Sequence, residues 1–189
     1  MISVARRILR FDAPERFIAG TTGEPGARVF HLQAIGNGIA ATVIVEKSQV
    51  AVLARRIADM LNDLAEGGSV ELPVQATRIT PRLPRLAEPF AAEFRVGTIA
   101  LSWDPLAARL TLEFRDDMSD EGSADAPPPM NDAPVGPDVL RVTLSVAAAL
   151  EFAEQSLELA AAGRPVCPLC GDPIESSGHR CARKPAYLN

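Results

Sequence analysis

The sequence lacks several features that would point to a particular compartment or class of function. Its three cysteines are an odd number, whereas a secreted disulfide framework normally needs an even one, so we expect reduced thiols and a cytoplasmic protein. Arg6, Arg7 and Arg10 interrupt the apolar N-terminus, and no apolar run reaches the roughly 18 residues of a membrane helix. We therefore expect neither a signal peptide nor a membrane span. A net charge of -5 excludes a general nucleic-acid coat and leaves room only for local basic patches.

Sequence motifs of the common enzyme classes are also missing. There is no nucleophile elbow, no H-E-x-x-H and no Walker pattern, and most carboxylates fall in one acidic stretch. A catalytic site built from residues that are distant in sequence would leave no such motif. The absence therefore favours a protein that binds a partner, without excluding an enzyme.

The hydrophobic pattern predicts an α+β domain over residues 1–163. Two β-rich runs, "RVFHLQAI" and "IAATVIVE", flank "GNG" and predict a hairpin, and "EFRVGTIALSWD" with "ARLTLEFRD" predicts a second one. A last strand is predicted at "DVLRVTLSV". Since hairpins precede helices, we expect a largely antiparallel sheet of about five to six strands with two main helices on one face.

Two amphipathic helices are predicted from apolar residues at three- and four-residue steps. In the first, we expect Ser48 to cap the start and Gly67 and Gly68 to end the helix, and in the second Gly163 is the expected stop. The first stripe comprises Val50, Leu53, Ile57, Met60, Leu61 and Leu64. The second comprises Leu150, Ala153, Leu157 and Ala160.

The two strand-to-helix junctions resemble each other. Val45 to Leu53 aligns with Val142 to Leu150, and Val, Ser, Ala and Leu recur at the same offsets. The match suggests a duplicated strand-strand-helix unit, although the shared chemistry of such junctions could account for it equally well.

Two further stretches are not expected to form regular elements. Residues 69–90 contain four prolines and three arginines, Arg78, Arg82 and Arg85, and are interpreted as a connector along the surface. Residues 116–138 are rich in proline and acidic side chains and contain no basic residue, which is typical of a mobile loop.

All three cysteines lie in the tail, residues 164–189, together with one of the two histidines. Cys167 and Cys170 have the C-x2-C spacing that directs two thiolates at one point, and His179 and Cys181 leave the same face of an extended segment. Three sulfur ligands and one nitrogen ligand would complete a tetrahedral zinc site. Because this set leaves no open position for water or substrate, we expect a structural zinc ion in a zinc knuckle.

Two other interpretations of the cysteines remain open. A redox pair is disfavoured because a thioredoxin-like C-x2-C lies between a strand and the helix that follows, whereas this pair follows a helix. A catalytic zinc would need fewer than four protein ligands.

A resemblance to a known family rests on three segments. The opening "DAPERFIAGTTGEPGARVFHLQA", the segment "EFRVGTIALSWD" and the tail "GRPVCPLCGDPIESSGHRCAR" together resemble an actinobacterial family of unknown function. Its members have about this length and end in the same C-P-x-C-G and H-x-C arrangement. The resemblance implies a cytoplasmic bacterial protein and carries over the four ligand positions, but no catalytic residue.

Outside the tail, the candidate sites are weaker. The turn "GTTGEPG", residues 20–26, could hold an anion, but it leads into a strand and not into a helix N-terminus. His31 shares a strand face with Gln33, and a strand histidine with satisfied hydrogen bonds is the simpler interpretation. Arg180, Arg183 and Lys184 form a basic patch beside the second half of the zinc site.

These observations predict a cytoplasmic, non-enzymatic adaptor or regulatory protein with structural zinc. Its partner would be an acidic protein or nucleic acid, bound through Arg180, Arg183 and Lys184. The alternative is an enzyme that acts on a small or phosphorylated molecule in a pocket near residues 20–26 and His31.

Overall fold

The described residues form an α+β fold of two β-sheets and two helices. The computed structural model describes residues 6–24, 26–73, 83–116 and 128–162. The strands are β1 (Ile8–Asp12), β2 (Arg16–Thr22), β3 (Val29–Gly36), β4 (Ile39–Val45), β5 (Thr98–Asp104), β6 (Arg109–Arg115) and β7 (Val139–Ser145). The helices are α1 (Lys47–Glu66) and α2 (Val146–Ala161).

The strands form two mostly antiparallel sheets. A four-stranded sheet has the order β1-β7-β6-β5, and a three-stranded sheet has the order β2-β3-β4. Within the described residues, β1 and β7 are the only parallel neighbours among these strands, with Ile8 opposite Val139 and Asp12 opposite Thr143. The α+β class, the two helices and the antiparallel character are therefore confirmed, but the expected single sheet of five to six strands is replaced by two sheets with seven strands in total.

Strand β2 explains part of this difference. The sequence shows no alternation there, because Phe17 to Gly20 are all buried and both faces of β2 are covered. Strand β1 is short and pairs with a strand more than a hundred residues later in the chain. A local pattern does not reveal either pairing.

The predicted hairpins and the last strand are present. Asn37 and Gly38 form the β3–β4 turn, and both have positive φ angles, 53° and 71°. Two consecutive left-handed residues match the right-handed twist of the two strands, which is why Asn-Gly is favoured at this position.

Alternate residues of the strands meet the helices in one hydrophobic core. Both sheets contribute to it, for example through Leu32 and Val43 in one and Leu112 and Val142 in the other. The two helices contact each other, and α2 also contacts β2, β6 and β7. In α1, the residues buried in the core are Val50, Leu53, Ala54, Ile57 and Leu61, which confirms the predicted stripe.

The start of α1 differs from the expected cap. Glu46, and not Ser48, is the N-cap, and its backbone N–H donates to Gln49 Oε1 at 2.8 Å. A glutamine at the third helical position can satisfy the cap in this way, so the serine is not needed. At the other end, Gly67 is the C-cap, as predicted. In α2, Ser145 is the N-cap and its hydroxyl accepts from the Ala148 N–H at 3.2 Å, while Gly163 lies outside the described residues.

The structure supports an internal repeat of three strands and a helix. The unit β2-β3-β4-α1 is followed by β5-β6-β7-α2 with the same order of elements, one strand longer than the unit suggested by the sequence. Alignment of the two N-caps, Glu46 and Ser145, shifts the sequence alignment by two residues. Buried positions then coincide in pairs: Val50 with Ala149, Leu53 with Phe152, Ala54 with Ala153 and Ile57 with Ser156.

The outer face of the four-stranded sheet contains a buried ion pair. Glu113 is fully buried and accepts hydrogen bonds from Arg141 Nη2 at 2.6 Å and Nε at 3.0 Å. The Met130 N–H donates to both carboxylate oxygens of Glu113 at 3.1 Å. Residues 128–138 thus lie against the sheet, although they belong to the stretch for which composition predicts mobility. Residues 117–127 of that stretch are outside the described residues.

We expect Glu113→Ala to lower the free energy of unfolding by about 3–5 kcal/mol, because it leaves the Arg141 guanidinium largely buried without its main partner. Urea denaturation followed by circular dichroism would measure the loss. Asp132→Ala is the matched control, since Asp132 binds the same guanidinium at 2.7 Å but its side chain is 60% exposed. Equal losses in both variants would contradict the assigned role of Glu113.

Candidate functional site

The candidate site is a pocket where β2, the end of α2 and residues 83–88 meet. Its volume is about 690 Å³. Thr21 and Thr22 at the end of β2, Arg28 before β3 and Leu159 near the end of α2 line it. The remaining wall comes from the irregular segment that contains Arg85 and Glu88.

Residues 83–90 cover the outer face of the three-stranded sheet. Gln33 is fully buried in that face, and its side-chain amide forms two hydrogen bonds with Ala87: the Ala87 N–H donates to Oε1 at 2.8 Å, and Nε2 donates to the Ala87 carbonyl at 3.1 Å. A side-chain amide that pairs both backbone groups of one residue acts as a local β-bridge. Gln33 therefore positions the wall of the pocket.

The glycine at position 20 provides space for the same segment. A Cβ atom at Gly20 would lie 2.7 Å from Cγ of Leu86, which is closer than side-chain atoms can approach. Gly20 belongs to β2, so the predicted glycine-rich turn begins later than its sequence suggests and its first three residues are strand. This glycine serves the close approach of Leu86 and does not face an anion from a loop.

Two arginines give the pocket its cationic groups. Arg28 donates from Nη1 to the carbonyl oxygen of Ala162 at 2.7 Å, so its guanidinium binds the C-terminal end of α2. Arg85 is exposed, and its backbone carbonyl accepts a hydrogen bond from the Arg16 guanidinium. With Glu88 as the carboxylate of the lining, the charged side chains there sum to +1.

His31 lies behind the threonine wall of the pocket. Its Nε2 atom is 3.0 Å from the Thr22 hydroxyl, and its ring meets Phe90 edge-on at a centroid distance of 5.2 Å. The side chain is buried, and Nδ1 has no hydrogen-bond partner among the described residues. Burial lowers the pKa of His31 below its ordinary value of 6.5, so the ring is held neutral.

The structure thus brings together only some of the residues predicted from the sequence. His31 contacts Thr22 of the predicted "GTTGEPG" segment, and Arg85 of the connector reaches the same pocket. Arg28 was not predicted, although it is a basic side chain two residues after the glycine-rich turn. The predicted zinc ligands Cys167, Cys170, His179 and Cys181 lie outside the described residues, as do Arg180, Arg183 and Lys184 and, in the connector, Arg78 and Arg82.

Comparison with known proteins places the chain in a family. The model of a family described as "Protein of unknown function (DUF3090)" matches residues 9–181, and the chain belongs to that family. The matched region includes both described helices and ends at Cys181, the last of the four predicted zinc ligands. No curated protein and no solved structure matches the chain. Neither helix of the described part is long and apolar enough to cross a membrane.

The burial of His31 predicts a pH-dependent stability. A histidine with a lowered folded pKa is protonated first in the unfolded chain, so the free energy of unfolding should decrease as the pH falls through 6.5 towards the folded pKa. Above that window both states are neutral and the effect vanishes. We expect His31→Gln to flatten this part of the curve in denaturation experiments between pH 8 and pH 5, measured at about half-unit steps. An unchanged slope would show that His31 is not the group responsible.

Proposed function

We propose that the protein is a non-enzymatic adaptor or regulatory protein of the actinobacterial cytoplasm that binds an acidic partner where its tail leaves the α+β domain. One observation supports this most directly. Arg28 lines the pocket and at the same time binds the carbonyl of Ala162, the last described residue before the tail. Ala162, the last described residue before the tail, therefore lies beside a pocket that contains Arg28 and Arg85.

The charges at this position favour an acidic partner. Arginine presents a planar fork of N–H donors that binds carboxylates and phosphates in pairs, and an exposed Arg85 can adapt to such a group. The tail residues would extend this cationic surface beyond the pocket. Because the protein as a whole is acidic, such a local basic surface would direct the partner to one place.

The tail contributes a structural zinc ion in this proposal. Cys167, Cys170, His179 and Cys181 supply three sulfur ligands and one nitrogen ligand, a set that suits tetrahedral zinc. A tail of this length cannot bury a core of its own, so metal binding would provide the free energy that orders it. The role of zinc would then be to fix the orientation of the basic side chains next to His179 and Cys181.

A second candidate function uses the same pocket. The contact between Thr22 and His31 places a hydroxyl beside a neutral imidazole at the wall of a cavity with two arginines, which favours a small or phosphorylated molecule as ligand. An enzyme would need His31 to be oriented by a partner at Nδ1, and the described residues provide none. The enzyme is therefore less well supported than the adaptor.

We expect one zinc ion per chain when the protein is purified without chelator and analysed by elemental mass spectrometry. Cys170→Ser should lower the zinc content substantially, because the remaining three ligands bind zinc more weakly and leave one position to water. Ser176→Ala in the same tail is the control and should retain the metal. A metal-free protein, or full zinc content in the Cys170 variant, would refute the zinc proposal.

Binding of an acidic partner should depend on Arg85. We expect a poly-glutamate peptide and a single-stranded oligonucleotide, titrated in parallel, to bind in low salt, and the affinity to fall on Arg85→Gln and on the joint change of Arg180, Arg183 and Lys184 to glutamine. Arg109→Gln is the control, since Arg109 lies at the start of β6 and does not line the pocket. Fluorescence anisotropy at several salt concentrations would measure both effects.

The outcomes separate the two candidate functions. Tighter binding of the oligonucleotide identifies nucleic acid as the partner, tighter binding of the peptide identifies protein, and a loss of affinity with salt shows that the contact is ionic. Binding that is unaffected by both sets of substitutions would contradict the adaptor proposal. If neither polymer binds while phosphorylated small molecules are turned over by the wild type and not by His31→Ala, the enzyme is the correct alternative.

A further inference from the structure

Strand β5 forms one edge of the four-stranded sheet. It pairs with β6 along its whole length, and the described residues include no backbone partner for the opposite edge of residues 99–103. Unpaired N–H and C=O groups on such an edge can receive another strand, and natural proteins normally protect them with charges, proline, bulges or a covering segment. The edge of β5 is therefore a place where protection is expected.

Two of the other three sheet edges show what such protection looks like in this protein. Strand β1 has only five residues, with Arg10 and Asp12 among them. The edge of β4 is covered by residues 93–96, where the Glu93 N–H donates to the Thr42 carbonyl and the Val96 N–H to the Ile44 carbonyl, both at 2.8 Å. Within the described residues no segment covers the edge of β5, and residues 98–103, "TIALSW", contain no charge and no proline, Asp104 at the end of the strand being its charged residue.

An apolar groove adjoins this edge. It lies between β5 and the first half of α1 and has a volume of about 400 Å³. Its apolar lining is Ile99, Leu101, Leu53 and Val52, and its polar lining is Ser48, Gln49 and the charged Arg56. The Val52 side chain points out of the core and is 61% exposed. An exposed apolar helix residue next to an unprotected apolar strand makes one continuous surface, which is typical of an interface.

The sequence of β5 is compatible with antiparallel pairing between β5 strands of two copies of the chain. In a two-fold antiparallel pair, the register that aligns all seven residues is centred on Leu101, so that Leu101 faces itself, Ile99 faces Trp103 and Ala100 faces Ser102. An aromatic ring opposite a β-branched side chain is a favourable cross-strand pair. No position in this register places like charges opposite each other, because Asp104 faces Thr98.

We propose that β5 pairs with β5 of a second copy of this chain, forming a continuous eight-stranded sheet across a two-fold axis at Leu101. This inference goes beyond the adaptor function and does not depend on it. The apolar side of β5 faces the groove in each copy, so Trp103 of one copy covers the Ile99 end of the groove of the other. The Val52 side chain of each copy is then buried in the dimer interface. The pocket with Arg28 and Arg85 is not part of this interface.

Analytical ultracentrifugation of the full chain should show a species of twice the 20.1 kDa chain mass. Val52→Glu should weaken dimerisation by about tenfold or more, because it places a carboxylate in the apolar groove of each copy. The substituted side chain points to solvent in the isolated copy, so its fold is retained. Val135→Glu is the matched control, since Val135 is 62% exposed but lies outside β5, α1 and the groove, and it should leave the dimer unchanged.

A second measurement tests the register. Under mild oxidation, Leu101→Cys should give a disulfide between the two substituted positions, since residues at the axis lie within bonding reach of each other. Ser102→Cys should not, because its direct neighbour is Ala100 of the other copy. Peptide mass spectrometry distinguishes this link from those of the native cysteines.

Two results would overturn the proposal. The first is a wild-type chain that remains monomeric at all concentrations, and the second is a dimer that neither Val52→Glu weakens nor Leu101→Cys links at the axis.

Discussion

Both faces of the central strands β3 and β6 carry buried side chains, although the two helices occupy only the core side, and the rest of the structure depends on this constraint. The segments that cover the outer faces have no regular secondary structure, so their backbone N–H and C=O groups need hydrogen-bond partners other than a neighbouring strand. One buried side chain in each sheet does this: Gln33 pairs with the backbone of Ala87, and Glu113 accepts from the backbone of Met130 and from Arg141. The pocket lies where the first of these covering segments, β2 and the end of α2 meet.

The same constraint explains which elements could be predicted from the sequence. The hairpin at Asn37 and Gly38 was visible because its turn needs two left-handed residues, and α1 was visible because it is buried on one side only. Strand β2 was not predicted, since a strand buried on both faces loses its alternation. The separation into two sheets was missed as well, because it depends on β1 joining β7, and no local pattern encodes a partner so distant in sequence.

The candidate site was predictable only in pieces. His31 and Arg85 could be named from the sequence, but their spatial relation depends on the segment that covers the sheet. Gln33 binds the backbone of this segment, and Gly20 leaves space for its Leu86 side chain. Arg28 gains its importance from the carbonyl of Ala162, a contact between residues far apart in sequence. Conversely, the four proposed zinc ligands are a prediction from spacing alone, because residues that bind one ion from a short segment must be close in the chain.

The pairing of β1 with β7 also has a consequence for the order of folding. Of the strands in the described part of the chain, the first has its partner in the last, so β1 must wait for β7 to be made, and this raises the contact order of the four-stranded sheet. The unit β2-β3-β4-α1 has its sheet neighbours in immediate succession and can form while synthesis continues. The two similar halves of the domain are therefore expected to fold at different times, with β1 closing the structure last.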